Sequence, residues 1–217
     1  MRATPRKLII IGAGGLGRIV YDVLARDTAL HGQCRLGGFL DTRASLALPP
    51  GLEVPVLGNP LTWQPDPEDR YIPAVGNPRW RDRLVAPLAA RGARFFSYTR
   101  AASIASRTHV GQGSFLTPGC VVSTDCNIGA FAYLDTGVIV GHDVEIGEHC
   151  MIGAMGFLAG GVRIGNGVAI HPRAAIAKGI HVGDGATIGI GSVVVKNVPP
   201  NATVFGNPAR IIDINTP

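Results

Sequence analysis

Charged residues are scarce in this chain of 217 residues, of which 16% are Asp, Glu, Lys or Arg, compared with about 25% in an average globular domain. Aromatic residues account for only 6%, and the basic residues behind the net charge of +5 are scattered without runs. Because nucleic-acid-binding surfaces concentrate basic and aromatic side chains, this composition predicts no nucleic-acid partner.

Long apolar runs and paired cysteine motifs are also missing. The apolar run at residues 8–11 ends at Gly12. It is too short for a signal peptide or a membrane span, so we expect no membrane insertion. The four cysteines, Cys34, Cys120, Cys126 and Cys150, show neither a CxxC pair nor zinc-type spacing. This usage fits a reduced, cytoplasmic setting.

Glycine is abundant, with 30 residues, and it accompanies a six-residue repeat. Glycine follows the repeated aliphatic residue in half of the repeats, and the residue four positions after that aliphatic is small or aliphatic. The period fits neither a helix nor a hairpin, and it predicts a parallel β-helix of short strands and tight corners over residues 99–217. The repeated aliphatic residues are Ile104, Val110, Leu116, Val122, Ile128, Leu134, Val140, Ile146, Ile152, Leu158, Ile164, Ile170, Ile176, Val182, Ile188 and Val194.

Residues 1–98 have the pattern of a small Rossmann-like α/β domain with a parallel sheet. A strand at 7–11 is followed by Gly12, Gly14 and Gly17 in a GxGxxG pattern, a helix, and a second strand ending at Asp41. This order suits a nucleotide phosphate at a helix N-terminus and a ribose near the acid. Only half of a dinucleotide fold is present, so we expect a mononucleotide, or part of a nucleotide-linked substrate, rather than NAD. The alternative, a glycine turn that serves only helix–strand packing, stays open.

The two parts together resemble the sugar O-acyltransferase family of hexapeptide-repeat acyltransferases, which includes sialic acid O-acetyltransferases and nucleotide-4-amino-sugar N-acetyltransferases. The resemblance covers nearly the whole chain. It lies in the segments GAGGLG at 12–17, FLD at 39–41, PVLG at 55–58, VGN at 75–77, TGVIVGHD at 136–143, LAGGV at 158–162 and VFGNPAR at 204–210.

The resemblance implies a left-handed β-helix, a homotrimer and acetyl-CoA as the acyl donor. It also implies transfer of the acetyl group to the amino group of a nucleotide-linked amino-deoxysugar during glycan biosynthesis. In this family a histidine beside an acid is the catalytic base, which corresponds to His142 with Asp143. The nucleotide contacts of the family correspond to Gly14, Gly15, Asp41 and Gly76.

Four positions depart from the residues usual in the family. Leu16 replaces a frequent histidine, and Thr42 replaces a second acid after Asp41. Asp135 stands where an asparagine is usual, and Met151 stands where a second histidine often touches the acyl donor. The first two positions concern the identity of the sugar nucleotide, and the last two concern the geometry of the acyl donor.

Acyl transfer from a thioester needs a base at the nucleophile and a donor for the developing oxyanion. Among six histidines, His142 has an acid as its immediate neighbour. The resemblance implies three hexapeptides, or eighteen residues, per coil, so Gly160, Lys178 and Lys196 would stack above His142, at ~4.8 Å per layer. We expect the Gly160 N–H to bind the thioester carbonyl and the two lysines to lie near the phosphates of the donor. Either lysine could instead be an ordinary solubilising residue.

Three other functions fit parts of the pattern. O-acetylation of a sugar hydroxyl, on a sialic acid-like or other glycan precursor, would use the same base and stays open. A noncatalytic binding relative would explain Met151 and Asp135, whereas the intact pair of His142 and Asp143 favours an enzyme. A metalloenzyme like the γ-class carbonic anhydrases needs two histidines five residues apart. No such pair occurs in the sequence, so no metal is predicted.

Overall fold

The structure is a computed structural model that describes residues 6–30, 33–43, 45–52 and 54–214. The chain divides into two compact units. One consists of the described residues up to Gly76 together with Trp80–Phe96, and the other of Asn77–Arg79 and the described residues from Ser97 onward. No helix in the described ranges is long and apolar enough to cross a membrane.

The N-terminal unit contains a small parallel sheet and two helices. Its elements are β1 (Arg6–Ile11), α1 (Gly15–Arg26), a 3-10 turn (Thr28–Leu30), β2 (Cys34–Leu40), β3 (Val56–Gly58), β4 (Arg70–Pro73) and α2 (Pro78–Ala90). The strand order is β3-β2-β1-β4, and β1 pairs in parallel with both β2 and β4. The carboxyl ends of these strands therefore share one edge, which confirms the predicted Rossmann-like arrangement.

The apolar pattern explains why β1 is central. Its residues 8–11 are at most 1% exposed, as expected for a parallel strand that is covered on both faces. In α1, Val20 and Leu24 are four residues apart and both buried, so they form one apolar stripe along the helix. The helix packs through this stripe on β1 and β2.

The C-terminal unit is a parallel β-helix built from sixteen two-residue strands. They are β5 (Ser103–Ile104), β6 (His109–Val110), β7 (Phe115–Leu116), β8 (Val121–Val122), β9 (Asn127–Ile128), β10 (Tyr133–Leu134), β11 (Ile139–Val140), β12 (Glu145–Ile146), β13 (Met151–Ile152), β14 (Phe157–Leu158), β15 (Arg163–Ile164), β16 (Ala169–Ile170), β17 (Ala175–Ile176), β18 (His181–Val182), β19 (Thr187–Ile188) and β20 (Val193–Val194).

These strands form the three faces of a prism. Face I contains β5, β8, β11, β14, β17 and β20; face II contains β6, β9, β12, β15 and β18; face III contains β7, β10, β13, β16 and β19. Paired strands lie eighteen residues apart, as in Ile139 with Phe157 and Glu145 with Arg163. Each coil therefore holds three hexapeptides, as predicted. The repeated aliphatic residues from Leu116 to Val194 point inward and form the core.

Glycine recurs at the corner between faces II and III because the next coil passes too close for a side chain. A Cβ on Gly129 would lie 2.7 Å from the backbone of Gly147 and Glu148, and one on Gly183 would lie 2.5 Å from the Pro200 nitrogen. Only glycine accepts such an approach without a backbone shift. This contact explains the glycine column that the sequence shows.

The register shortens in the last coil. Val182 bridges Val198, and Ile188 pairs with Val204, so both steps are sixteen residues instead of eighteen. An eighteen-residue step would bring Val182 opposite Pro200, which has no N–H to donate to the ladder. The chain continues into an antiparallel hairpin of β21 (Ala202–Gly206) and β22 (Ala209–Ile214), which extends face III.

Candidate active site

The turn between β1 and α1 requires glycine at two positions of its motif. Gly12 has a φ of +99°, and a Cβ on Gly17 would clash with the Gly12 carbonyl oxygen at 2.0 Å. Gly14 and Gly15 differ, because no atom lies within 3.8 Å of the place where their Cβ would be. Gly12 and Gly17 therefore allow close packing, whereas Gly14 and Gly15 leave open space before the N-terminus of α1.

This open space belongs to a cavity of about 470 Å³ at the carboxyl edge of the sheet, a volume typical of small-molecule sites. All four residues predicted to contact a nucleotide lie in its wall, and so do Leu16 and Thr42. The lining residues are Gly12, Gly14, Gly15, Leu16, Asp41, Thr42, Arg43, Ala74, Val75, Gly76, Trp80 and Leu84.

Asp41 is the buried acid of this cavity, with 7% exposure. Its carboxylate accepts hydrogen bonds from the backbone N–H of Ala13 at 2.9 Å and of Arg43 at 3.0 Å. The Arg43 guanidinium adds two more, from Nε at 2.8 Å and from Nη2 at 2.9 Å. These bonds, with that of the Arg43 side chain as the largest influence, lower the pKa of Asp41 to about 2. Asp41 is therefore ionised and ties the glycine turn to Arg43.

Sequence reasoning missed Arg43 and Trp80 as wall residues. Trp80 is 54% exposed, and the Arg83 guanidinium lies 5.3 Å from its ring centroid. In the sequence, Arg43 could have been noticed because it stands two residues after Asp41, the acid that follows β2. Trp80 could have been noticed as an aromatic residue near the start of α2, the helix that follows β4.

His142 lies at the corner between faces I and II, directly after β11. Its Nδ1 is 2.6 Å from Oδ2 of Asp143, and both side chains are more than half exposed. Asp143 adopts a φ of +57°, a left-handed conformation that Asp tolerates better than most residues. The His142 carbonyl accepts a hydrogen bond from Gly161 N–H at 2.8 Å. The corner thus anchors the backbone and leaves the imidazole and carboxylate at the surface.

The His142 ring lies over Gly160 in the next coil. A Cβ on Gly160 would be 2.6 Å from Nε2 and 2.8 Å from Cε1 of the ring. Within the described ranges, Gly160 N–H donates no hydrogen bond. Gly160 therefore provides space for the ring, and sequence reasoning had considered only its N–H.

Lys178 and Lys196 lie on the same corner and are exposed. The eighteen-residue register holds between β17 and β20, up to Ile176 with Val194. The same register holds from β11 to β14 and from β14 to β17, so Lys178 follows His142 and Gly160 in the column. Lys196 lies in the segment where the register shortens before Val198.

Met151 lies on face III, opposite the corner of His142 within the same chain. It pairs with Tyr133, whose ring stacks on Phe115 at 5.6 Å, and Phe115 stacks on Tyr98 at 4.9 Å. Met151 is thus the next residue of this face after a ladder of three aromatic residues. One chain alone does not bring Met151 to His142.

A salt bridge lies below the candidate base. Arg107 Nη2 donates to Asp125 Oδ2 at 2.8 Å and to Thr124 Oγ1 at 2.9 Å. The hydrogen bonds from Arg107 and from Thr124 lower the pKa of Asp125. The signal in the sequence was the eighteen-residue step from Arg107 to Asp125 to Asp143. Within the described ranges, no group of three or more His, Cys, Asp or Glu side chains could hold a metal ion.

Comparison with known proteins decides the family. Residues 7–88 match the family model for the PglD N-terminal domain, and residues 125–160 match that for the bacterial transferase hexapeptide (six repeats). The chain is 31% identical to the acetyltransferase domain of PglB from Neisseria gonorrhoeae FA1090, with a TM-score of 0.86 and coverage of 95% of this chain and 100% of that chain. The chain belongs to the hexapeptide-repeat sugar acyltransferases.

Other solved structures are similar to this chain over nearly its whole length. PerB from Caulobacter crescentus, in complex with CoA and GDP-perosamine, is 27% identical, with a TM-score of 0.84 and coverage of 95% of this chain and 97% of that chain. WeeI from Acinetobacter baumannii AYE is 26% identical, with a TM-score of 0.71 and coverage of 95% and 100%. Among curated protein sequences, none matches significantly. Membership confirms the predicted family, the left-handed β-helix and the class of enzyme.

Proposed function

We propose that this sugar acyltransferase transfers an acetyl group from acetyl-CoA to the amino group of a nucleotide-linked amino-deoxysugar. The observation that carries the proposal is the pair of His142 and Asp143, 2.6 Å apart, over Gly160, whose N–H donates to no other described residue. PerB, a perosamine N-acetyltransferase, supports it, since that enzyme was captured with CoA and GDP-perosamine, also with one histidine replaced by Asn or Ala. The PglB domain was captured with acetyl coenzyme A.

In the proposed reaction His142 is the general base. Because Nδ1 donates to Asp143, Nε2 is the unprotonated nitrogen that accepts a proton as the sugar amine attacks the acyl carbon. Asp143 fixes the ring and stabilises the imidazolium that forms. The Gly160 N–H donates to the oxyanion. When the carbon–sulfur bond breaks, His142 returns its proton to the departing thiolate.

We assign the binding of the two substrates to the residues predicted for them. Gly14, Gly15, Asp41 and Gly76 form the wall against which the nucleotide binds. Lys178 and Lys196 offer cationic side chains to the phosphates of CoA on the corner above Gly160. Cys120, Cys126 and Cys150 are buried in the core, so direct transfer fits better than an acyl-enzyme on any of these three.

The proposed homotrimer rests on a difference between the faces. The residues that point outward on face I are Ser103, Val121, Ile139, Phe157, Ala175 and Val193, whereas those on face II are His109, Asn127, Glu145, Arg163 and His181. Val121, Ile139 and Phe157 are 44–47% exposed, and such an apolar row favours burial against another copy. A copy on face I would border the corner of His142, and Met151 could reach the acyl donor only from a neighbouring copy.

An acceptor panel tests the proposed reaction. Release of free thiol from acetyl-CoA is followed with nucleotide-linked 4-amino-6-deoxysugars and with matched sugars that carry a hydroxyl in place of the amine. We expect turnover with an amino sugar and none with its hydroxyl partner. Turnover confined to the hydroxyl sugars would replace N-acetylation by O-acetylation. Binding of acetyl-CoA without turnover of any acceptor would favour a noncatalytic relative.

A further inference from the structure

The carboxylate of Asp41 has no capacity left for a ligand. Oδ1 accepts from the backbone N–H and the Nε of Arg43, and Oδ2 accepts from the Ala13 N–H and the Nη2 of Arg43, all at 2.8–3.0 Å. A carboxylate has about four lone-pair sites, and all four are used. A ribose hydroxyl could bind this acid only by displacing one of these donors.

Arg43 still has donors to offer. Its guanidinium carries five N–H groups, and the bonds to Asp41 use the one on Nε and one on Nη2. Among the described contacts three N–H groups remain, and one on Nη1 and one on Nη2 form the neighbouring edge of the guanidinium. Arg43 lines the cavity, its side chain is 55% exposed, and Nη2 lies 3.9 Å from the place of a Cβ on Gly14. The free edge is therefore available beside the glycine turn.

The pair with Asp41 also fixes the orientation of this edge. A bidentate contact between guanidinium and carboxylate holds both groups in one plane, and the low pKa of Asp41 keeps the acid ionised under ordinary conditions. Among the residues that the structure describes, Asp41 and Arg43 are the only charged ones in the cavity wall. With the acid occupied, the charged group that a ligand meets is a planar cation that can only donate hydrogen bonds.

We propose that Arg43 is the residue of this chain that holds the nucleotide, through a pair of adjacent acceptor atoms on the ligand, and that Asp41 positions it. Two parts of a nucleotide present such a pair: two oxygens of the diphosphate, or the O6 and N7 atoms of guanine. The inference rests on the proposed function, because it gives a role to the cavity in which the nucleotide part would bind.

Calorimetric titration of the full chain with GDP and with UDP tests this role. Loss of a charge-assisted hydrogen-bond pair in Arg43→Gln is expected to weaken binding about 10- to 100-fold. An equal loss for both nucleotides identifies the diphosphate as the contact, and a loss for GDP alone identifies guanine. Arg43→Lys keeps the positive charge but lacks the two parallel N–H donors of the guanidinium (the fork). It should therefore bind more tightly than Arg43→Gln and more weakly than the unmodified chain.

Arg35→Gln is the matched control, since Arg35 is an exposed residue of β2 outside the cavity wall, and it should bind both nucleotides as the unmodified chain does. Equal or tighter binding by Arg43→Gln would overturn the inference, because Arg43 would then only mask Asp41. Full recovery in Arg43→Lys would overturn the role of the fork. Absence of nucleotide binding by the unmodified chain would refute the proposed function itself, and this inference with it.

Discussion

At Gly160, the absence of a side chain has a direct effect on the candidate base. Replacement by alanine keeps the backbone N–H, and the backbone φ lies outside the left-handed region, yet the new Cβ would lie 2.6 Å from Nε2 of His142. The ring must move, and a displacement of about 1 Å can reduce a rate about 100-fold. We therefore expect Gly160→Ala to lower kcat about 10- to 100-fold while acetyl-CoA still binds.

A double-mutant cycle separates this effect from general damage. If Gly160 acts through the ring of His142, Gly160→Ala should cost little further activity in a chain that already carries His142→Asn. Additive losses in the two variants would contradict the positioning role and leave Gly160 with the N–H alone.

Single residues mark where sequence reasoning succeeds and where it stops. The contact between His142 and Asp143 could be predicted because the two residues are adjacent in the chain, and adjacency at a corner keeps the side chains close. Arg43 could not, because its contact with Asp41 depends on side-chain rotamers that no motif encodes. The hydrogen bonds that occupy Asp41 were hidden for the same reason, so the sequence suggested a ribose contact where the structure has an arginine.

Among the elements, the glycine turn before α1 allows two alanine variants with different expected effects to be compared. In Gly17→Ala the new Cβ would clash with the Gly12 carbonyl, whereas in Gly15→Ala it meets nothing within 4 Å. We expect Gly17→Ala to lower the free energy of unfolding by about 2–3 kcal/mol. Gly15→Ala should stay within about 1 kcal/mol of the unmodified chain and instead weaken GDP or UDP binding. Urea unfolding and calorimetric titration measure the two effects, and a Gly17→Ala chain of unchanged stability would contradict the account of the turn.

The repeat predicted the elements of the β-helix almost completely. Because each coil buries one aliphatic residue per strand, the six-residue column fixes the strand positions, and the eighteen-residue register follows from three strands per coil. The strand pairing of the last coil could not be predicted from the repeat. There the shorter step from Val182 to Val198 depends on how the chain avoids Pro200 in the ladder, which is a competition between pairings and not a periodicity.

At the scale of the whole molecule, the apolar row on face I predicts the assembly. A charge placed in its centre by Phe157→Asp would be buried without a partner in a trimer, so we expect this variant to be a monomer. His181→Asp, on the polar face II, is the matched control and should remain trimeric. Sedimentation velocity distinguishes the two, and a Phe157→Asp chain that sediments like the control would exclude face I as the interface.

The monomeric variant also tests whether the active site needs residues from a neighbouring copy. Since face I ends at the corner of His142, loss of the neighbouring copy should reduce acetyl transfer by Phe157→Asp together with trimer formation. Full activity in a monomer would mean that one chain holds the whole site, and Met151 would then have no role at the acyl donor.

The most direct test of the central claim is the rate of thiol release from acetyl-CoA by His142→Asn, measured with the amino sugar nucleotide that the unmodified enzyme uses. Asparagine removes the base, so we expect kcat to fall about 10²- to 10⁴-fold while calorimetry shows unchanged binding of acetyl-CoA, and His181→Asn should keep full activity. A His142→Asn enzyme that keeps kcat within about tenfold of the original would contradict the assignment of His142 as the general base.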